Sequence, residues 1–202
     1  MKLYYAHGAC SLSPHIVLVE AGLPHELERV DLKSKRTESG ADFTQINPKG
    51  YVPALELDNG QVLTEGPAIV QYVADQKPDT GLAPRAGSME RYRLQEWLNF
   101  ITAEIHKEFG PLFNATFPEE AKTFFRDKLR TRFEYVDKHL DAKLYLMGER
   151  FTVADAYLFT VGNWMKRVNI DGSKWPALSA YMQRVGARPK VVEAMRAEEA
   201  TQ

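Results

Sequence analysis

The pattern of apolar residues changes once along the chain, near Pro78, and this change constrains the fold more than any other feature. Before it, short apolar runs of strand character alternate with an amphipathic stretch, and Asp58-Asn59-Gly60 separates two such runs as a hairpin turn does. Beyond it, apolar residues recur at helical spacing only, as over 89–109 and 119–140. The first eighty residues are therefore predicted to run β-α-β, hairpin and helix, and the rest to be all-helical.

A segment rich in Pro, Gly, Asp and Ser joins the two regions and is typical of a linker. We predict a mixed α/β domain over residues 1–80, a linker over 81–87 and an all-helical domain over 88–202. A chain of 202 residues is long enough for two small domains of this kind.

Composition excludes several classes of protein. A net charge of −1 gives no basic arm for nucleic acid and no polybasic membrane surface. The uncharged run from Leu3 to Val19 is broken by Gly8 and Pro14, and it falls short of the roughly 20 apolar residues that a membrane span needs. With no targeting segment in view, we expect a cytoplasmic protein without a membrane partner.

The chain has one cysteine, Cys10, so an internal disulfide and a zinc site built on thiolates are excluded, and no metal is expected. Cys10 follows the first predicted strand and precedes a helix, whose N-terminal N–H groups and partial positive charge favour a thiolate. Ser13 stands where a Cys-x-x-Cys motif has its second sulfur, so a mixed disulfide on Cys10 would need an outside thiol for its release. Position alone leaves a buried, unreactive cysteine as an equal alternative.

The loop Asn47–Leu55 contains a second motif, Val52-Pro53, just before a predicted strand. A cis Val52–Pro53 bond would present the Val52 backbone N–H and C=O to an extended peptide as an added strand. The alternative is an ordinary trans proline, since only about 5–6% of X–Pro bonds are cis.

The segment Thr64-Glu65-Gly66-Pro67 begins a predicted helix. Its backbone N–H groups could bind a carboxylate, and the Glu65 side chain could bind an ammonium group. Spacing alone favours the simpler alternative, in which Thr64 is the N-cap and Glu65 complements the helix dipole.

These motifs, in this order, resemble the glutathione S-transferases, and most closely their bacterial beta class. The resemblance rests on Gly8–Ser11, Asn47–Leu55 and Leu63–Gly66 and extends over essentially the whole chain. It implies an N-terminal thioredoxin-like domain and a C-terminal helical-bundle domain. It also implies glutathione as co-substrate, a hydrophobic electrophile as second substrate, and a homodimer.

The resemblance assigns roles in the first domain residue by residue. Lys35 would approach the glycine carboxylate of glutathione, Val52 with Pro53 would hold its cysteinyl backbone, and Glu65 with the Gly66 amide would bind its γ-glutamyl end. Cys10 would contact the glutathione sulfur, with the helix-start amides and Ser11 nearby. Many relatives carry serine where this chain has Gly66, so a hydroxyl contact to glutathione is lost and its affinity is in question.

On the long predicted helix, Asn99, Thr102 or Ala103, and His106 recur every three or four residues and therefore share one face. This face resembles the one that beta-class enzymes turn toward the sulfur, with His106 catalytic and Lys107 near it. Glu104 resembles a residue that reaches glutathione in the neighbouring subunit. The resemblance also implies an electrophile pocket lined by three aromatic residues, which without it are ordinary core aromatics: Phe109, Phe113 and Trp164.

Two rival functions stay open on the residues alone. Cys10 and His106 could serve a cysteine hydrolase, which would need an oriented histidine and an oxyanion site. The chain could instead be a silent binding or regulatory protein of the same fold. Within the transferase hypothesis, conjugation, dehalogenation, peroxide reduction and thiol–disulfide exchange all suit these residues. Thr152 and Asp155 are interpreted as a capping box with a structural role.

Overall fold

The structure, a computed structural model, describes residues 1–200. Its contacts divide the chain into two compact units, Met1–Ala83 together with the C-terminal segment that begins at Ala187, and Pro84–Gly186. Within residues 1–200, no helix combines the length and the apolar composition that crossing a membrane requires.

The first unit is built on a five-stranded sheet of order β3-β2-β1-β4-β5. β1 and β2 are parallel, and the other neighbouring pairs are antiparallel. This is the thioredoxin-like arrangement that the resemblance implies. The strands are β1 Lys2–Tyr5, β2 Glu26–Asp31, β3 Arg36–Thr37, β4 Ala54–Glu56 and β5 Val62–Thr64. The helices are α1 Leu12–Ala21, α2 Phe43–Ile46, α3 Gly66–Gln76 and α9 Pro189–Glu199.

Helix α1 follows β1 directly and is buried along nearly its whole length. Ile16, Val17 and Leu18 have no exposed surface, which explains why its sequence shows little contrast between two faces. The helix ends at Gly22, whose φ of 63° is the left-handed conformation that glycine adopts readily. The tight β1–α1 connection leaves Cys10 in the turn immediately before the helix.

Helix α9 packs against α1 and so belongs to the first unit, although the sequence assigned all of residues 88–202 to the helical domain. The reason is a buried polar pair, in which His15 Nδ1 lies 3.0 Å from Glu198 Oε1 and both side chains are almost fully buried. Arg188 adds a bidentate ion pair to Glu20 at 2.7 and 3.0 Å. His15 thus has a structural partner in α9.

The second unit is helical, as the sequence predicts. Its α-helices are α4 Met89–Phe100, α5 Lys107–Phe113, α6 Glu119–Leu140, α7 Val153–Gly162 and α8 Pro176–Gly186. The predicted single helix over 89–109 is interrupted by a π-helical turn at Ile101–His106. A π-helical turn contains an additional residue, so it changes which side chains share a face, and such turns are frequent at functional sites.

Helix α7 begins with the predicted capping box. The Thr152 side chain caps the N3 backbone and the Asp155 carboxylate accepts from the Thr152 N–H at 2.8 Å. Asp155 also accepts from the Leu146 N–H at 2.8 Å and lies 3.2 Å from the Tyr181 hydroxyl. Burial raises the pKa of Asp155 and the hydrogen bonds lower it; burial has the larger effect, and the pKa is about 6. This carboxylate organises the helix start.

Candidate functional site

Cys10 lies in the turn between β1 and α1, and its side chain is hydrogen-bonded to a backbone carbonyl. Its Sγ donates to the Val52 C=O at 3.3 Å, which joins the start of α1 to the Val52–Pro53 loop. A nucleophilic cysteine of a hydrolase would instead pair with a base. In the first unit, Cys10 is therefore hydrogen-bonded to Val52, the residue whose backbone the resemblance assigns to glutathione binding.

Of the two alternatives that position leaves open for Cys10, the pKa of its thiol favours the buried, protonated one. The backbone N–H groups of Cys10 and Ser11 do lower the pKa of the thiol, as expected from the helix start. Burial acts in the opposite direction with a larger effect, the nearby Glu65 charge adds to it, and the pKa rises to about 11. Cys10 is thus a protonated hydrogen-bond donor at neutral pH.

Ser11 has a structural use for its hydroxyl. The side chain is completely buried, and its Oγ accepts from the Ala6 N–H at 3.1 Å and donates to the Ala6 C=O at 3.2 Å. The part of Ser11 that acts on Cys10 is its amide N–H. Two positions along, Ser13 is buried, and its Oγ has no hydrogen-bond partner among residues 1–200.

The Val52–Pro53 peptide bond is cis, which is the first of the two alternatives that the sequence leaves open. Lys35, assigned to the glycine carboxylate, lies beside the same loop, where its Nζ donates to the Gly50 C=O at 2.9 Å and lies 5.5 Å from the Tyr51 ring centre. The structure thus brings Cys10, Val52, Pro53 and Lys35 to one loop region.

The start of α3 completes this group in the first unit. Glu65, not Thr64, is the N-cap, and its side chain does not cap the helix, so the simpler interpretation of Thr64 is wrong. Glu65 has a φ of 70°, is 66% exposed at its side chain and forms an ion pair with Lys49. A Cβ at Gly66 would lie 3.9 Å from Pro53 Cγ, which places the first amide of α3 beside the cis proline.

In the second unit, the π-helical turn carries Thr102 and His106 to one partner, Tyr157 of α7. His106 Nδ1 lies 2.6 Å from Tyr157 Oη, and Thr102 Oγ1 lies 3.4 Å from the same oxygen. The predicted shared face therefore holds for Thr102 and His106. Asn99 and Ala103 are both exposed and do not share this contact. The π-helical turn adds a residue to the turn, so side chains that a regular α-helix would place on one face no longer align.

The three predicted pocket aromatics form one cluster with His106. The Trp164 ring lies 5.1 Å from His106, 5.4 Å from Phe109 and 5.6 Å from Phe113, in edge-to-face contacts. Phe109 is fully buried, whereas Phe113 is 45% exposed and carries the Arg167 guanidinium 5.3 Å from its ring centre. Phe113 thus presents an exposed aromatic surface beside Trp164.

Two further predicted residues lie on the same helical stretch. Glu104, predicted to reach a neighbouring subunit, pairs with Arg132 of α6 at 2.8 Å, and both side chains are partly exposed. Lys107 is exposed at the start of α5.

Sequence reasoning missed Lys49 and Tyr157. Lys49 lies inside the Asn47–Leu55 motif, and its position four residues before the cis proline was the available signal. Tyr157 gives no such signal, because it occurs in an apolar helix where a tyrosine is indistinguishable from a core aromatic. Within residues 1–200, no three His, Cys, Asp or Glu side chains lie close enough to hold a metal ion.

Comparison with known families matches both parts of the chain. Residues 7–76 match the family "Glutathione S-transferase, N-terminal domain", and residues 100–189 match "Glutathione S-transferase, C-terminal domain". Glutathione S-transferase GstA of Escherichia coli O157:H7 is 48% identical over 198 residues, covering 98% of each chain.

Solved structures agree with this. The ternary complex of BphK, a bacterial GST, has a TM-score of 0.97 at 58% identity and covers 98% of this chain and 100% of that one. A sphingomonad glutathione S-transferase complexed with glutathione has a TM-score of 0.96 at 46% identity, covering 98% and 99%. The bacterial beta-class enzyme of Sphingomonas chungbukensis has a TM-score of 0.95 at 47% identity, covering 98% of each.

These similarities favour an active glutathione transferase over a silent binding protein that keeps the fold. Two family models that together span most of the chain, and a curated relative at 48% identity, place it without ambiguity. The chain belongs to the glutathione S-transferase family, and its structural neighbours place it in the bacterial beta class.

Proposed function

We propose that this glutathione transferase binds glutathione along Lys35, Val52, Pro53, Glu65 and Gly66 and holds its sulfur as a thiolate beside Cys10. The observation that carries the proposal is the hydrogen bond from Cys10 to the Val52 carbonyl. It joins the sulfur-bearing turn to the backbone edge that would pair with the glutathione peptide as an added strand.

The charges around this edge complement the charges of glutathione. Lys35 Nζ would move from the Gly50 carbonyl to the glycine carboxylate, a stronger acceptor. Glu65 would receive the γ-glutamyl ammonium group, and the Gly66 amide at the uncapped start of α3 would donate to the γ-glutamyl carboxylate. The glutathione complex of the sphingomonad relative supports the same ligand here.

The protonated state of Cys10 suits a donor to the glutathione thiolate. Its S–H and the amides of Cys10 and Ser11 would stabilise the negative sulfur. Each pKa unit by which they lower the glutathione thiol is about 1.4 kcal/mol and nearly a tenfold gain in reactive fraction at neutral pH. The family resemblance alone assigns His106, Lys107 and Asn99 to the same ligand.

In the reaction, the glutathione thiolate attacks an electrophilic carbon, a C–S bond forms, and the leaving group departs with its electron pair. The thiol proton has already passed to solvent. Phe109, Phe113 and Trp164 would hold a hydrophobic electrophile, which fits a role in detoxification. Thiol–disulfide exchange, peroxide reduction and dehalogenation through a Cys10–glutathione mixed disulfide are secondary, since a pKa of about 11 makes Cys10 a poor first nucleophile.

The active form would be a homodimer in the cytoplasm, the compartment that contains reduced glutathione.

The dimer surface would include a groove of about 720 Å³ between α4 and α6, which is lined by aromatic residues and which a second copy would cover. Its aromatic residues are Trp97, Phe100 and Tyr135. On dilution, the mass from light scattering should stay at twice 23.0 kDa, and a monomer mass would overturn the dimer. Cell fractionation tests the location.

Binding is tested by titrating glutathione into wild type, Glu65→Gln and Glu193→Gln by calorimetry. Glu65 and Glu193 each form an exposed ion pair with a lysine in the first unit, so both variants remove the same charge. Glu65→Gln should weaken glutathione binding by about 10-fold or more, the usual cost of a hydrogen bond to a charged group. Glu193→Gln should bind as wild type does. Equal affinities for all three, or no binding by wild type at millimolar glutathione, would overturn the assignment.

A further inference from the structure

We propose that Lys49 is a binding residue for the γ-glutamyl carboxylate of glutathione, and that it leaves the Glu65 carboxylate to make this contact when the ligand binds. The inference rests on the proposed function, which places the γ-glutamyl end of glutathione at Glu65 and the Gly66 amide. It adds a cation to that end of the site and a second partner for the ligand carboxylate.

Lys49 lies against the end of β5 and the start of α3. Its Nζ donates to Thr64 Oγ1 at 3.0 Å and to Glu65 Oε1. Thr64 is the last residue of β5 and is paired with Ala54 of β4, so the strand pairing brings the start of α3 beside the loop that precedes β4. The Lys49 ammonium group therefore lies next to the two residues that immediately precede Gly66.

The backbone of Lys49 is held in place, whereas its side chain is exposed. Asn47 is 2% exposed, and its side chain donates to the Tyr51 C=O at 2.7 Å and accepts from the Lys49 N–H at 3.2 Å. The Lys49 side chain is 53% exposed and has a flexible carbon stem. Because exposed ion pairs are weak, its ammonium group can change partners while the loop stays as it is.

The start of α3 offers fewer N–H groups to an anion than a helix start usually does. Pro67 has no N–H, and the N–H groups of Ala68 and Ile69 both donate to the Glu65 C=O at 3.0 Å. Among residues 66–69, this leaves the Gly66 N–H for a ligand. A carboxylate has two oxygens and accepts several hydrogen bonds, so one amide leaves most of its capacity unused.

The balance of charge points to Lys49 as the second partner. Glutathione has two carboxylates and one ammonium group. The proposed contacts supply Lys35 for the glycine carboxylate and Glu65 for the ammonium group, but no charged side chain for the γ-glutamyl carboxylate. Lys49 is the cation that already lies at Glu65.

Binding of the ligand ammonium group to Glu65 provides the reason for Lys49 to move. Two ammonium groups on one carboxylate repel each other. The γ-glutamyl carboxylate is bonded to the same carbon as the ligand ammonium group, so it arrives beside Lys49 in the same step. The charges then alternate, with Lys49 on the ligand carboxylate and the ligand ammonium group on Glu65.

The test is a calorimetric titration of wild type, Lys49→Met and Lys190→Met with two reduced peptides. One peptide is glutathione, and the other is γ-aminobutyryl-cysteinyl-glycine, which keeps the ammonium group and lacks the γ-glutamyl carboxylate. Lys190→Met is the matched control, because Lys190 forms a similarly exposed ion pair with Glu193 in the first unit. Circular dichroism and melting temperature identify a variant that has lost its fold.

Lys49→Met should bind glutathione about three- to tenfold more weakly than wild type, the effect of a hydrogen bond between charged groups less that of the exposed ion pair it replaces. Lys190→Met should bind as wild type does. With the peptide that lacks the carboxylate, Lys49→Met should bind as tightly as wild type or more tightly, because Lys49 then only competes for Glu65. In turnover, KM for glutathione should rise by the same factor and kcat should change less than about twofold.

Three results would overturn the inference alone, provided that wild type binds glutathione and Glu65→Gln weakens that binding. They are tighter glutathione binding by Lys49→Met, unchanged binding, and an equal loss with both peptides. Tighter binding would make Lys49 a competitor for Glu65 and nothing more. A wild-type protein that binds neither peptide would refute the proposed function together with the inference.

Discussion

The thiol of Cys10 offers the sharpest quantitative prediction, because it is the only cysteine and any alkylation is unambiguous in the mass of the intact protein. Burial raises its pKa from 9.0 to about 11, against the amide N–H groups at the start of α1. At pH 7 this leaves about one thiolate in 10⁴ molecules, a hundredfold fewer than for a thiol of pKa 9. Since only the thiolate is alkylated, the rate should fall in proportion.

The perturbation is pH, and the assay is the rate of carbamidomethylation by iodoacetamide between pH 7 and pH 10. The rate should rise about tenfold for each pH unit without reaching a plateau, because the thiolate fraction rises in that way below the pKa. The same chain unfolded in urea is the control, and its rate should level off near pH 9. Glu65→Gln should accelerate the folded protein only slightly, since burial is the larger cause of the raised pKa.

The dependence of the alkylation rate on pH separates the effect of a raised thiol pKa from the effect of restricted access by iodoacetamide. Restricted access would lower the rate by the same factor at every pH and would leave the pH at which the rate levels off unchanged. A plateau beginning below pH 9 in the folded protein would refute the reasoning. A folded rate above that of the unfolded chain at pH 7 would refute it as well, and would restore the thiolate expected from the helix start.

Three more changes follow from the packing. Gly66→Ser should tighten glutathione binding about three- to tenfold by calorimetry, because a Cβ fits 3.9 Å from Pro53 and the hydroxyl can donate to the glutamyl carboxylate. Ser13→Cys replaces a buried hydroxyl that has no partner among residues 1–200 and completes a Cys-x-x-Cys motif. Oxidation should then lower the intact mass by about 2 Da and prevent the glutathione adduct on Cys10. Glu198→Ala should lower the free energy of unfolding by about 1–3 kcal/mol in urea denaturation, because it removes the buried hydrogen-bond partner of the His15 ring.

Each of these has a contradicting result. Weaker glutathione binding by Gly66→Ser would mean that the hydroxyl points away from the ligand or obstructs it. Retention of the glutathione adduct by oxidised Ser13→Cys would mean that positions 10 and 13 do not pair. A change below 1 kcal/mol for Glu198→Ala, compared with the exposed control Glu193→Ala, would mean that the pair does not hold α9 on α1.

The elements with strong periodicity could be predicted from the sequence. β1, β2, the hairpin of β4 and β5, and helices α1, α3 and α6 lie where the apolar spacing places them. β3 and α2 were missed because a strand of two residues and a helix of one turn are too short to show a periodic pattern of apolar residues. α9 was missed because its buried positions include Ala194 and Glu198, which do not form an apolar stripe.

The candidate site divides in the same way. Motifs located Cys10, the Val52–Pro53 loop and the Glu65–Gly66 helix start, because turns and caps depend on local residue types. The ionisation of Cys10 could not be predicted, since it results from a competition between helix amides and burial that only packing decides. Tyr157 could not be found either, because its importance lies in a contact with His106, 51 residues away.

The most direct test of the central claim is the rate at which the purified protein joins glutathione to an activated aryl chloride, followed by product absorbance and mass. The rate should exceed the uncatalysed reaction, saturate with glutathione and yield one thioether and one chloride per turnover. It should be absent without glutathione. A rate equal to the uncatalysed reaction at saturating glutathione, with a protein shown to be folded, would contradict the account.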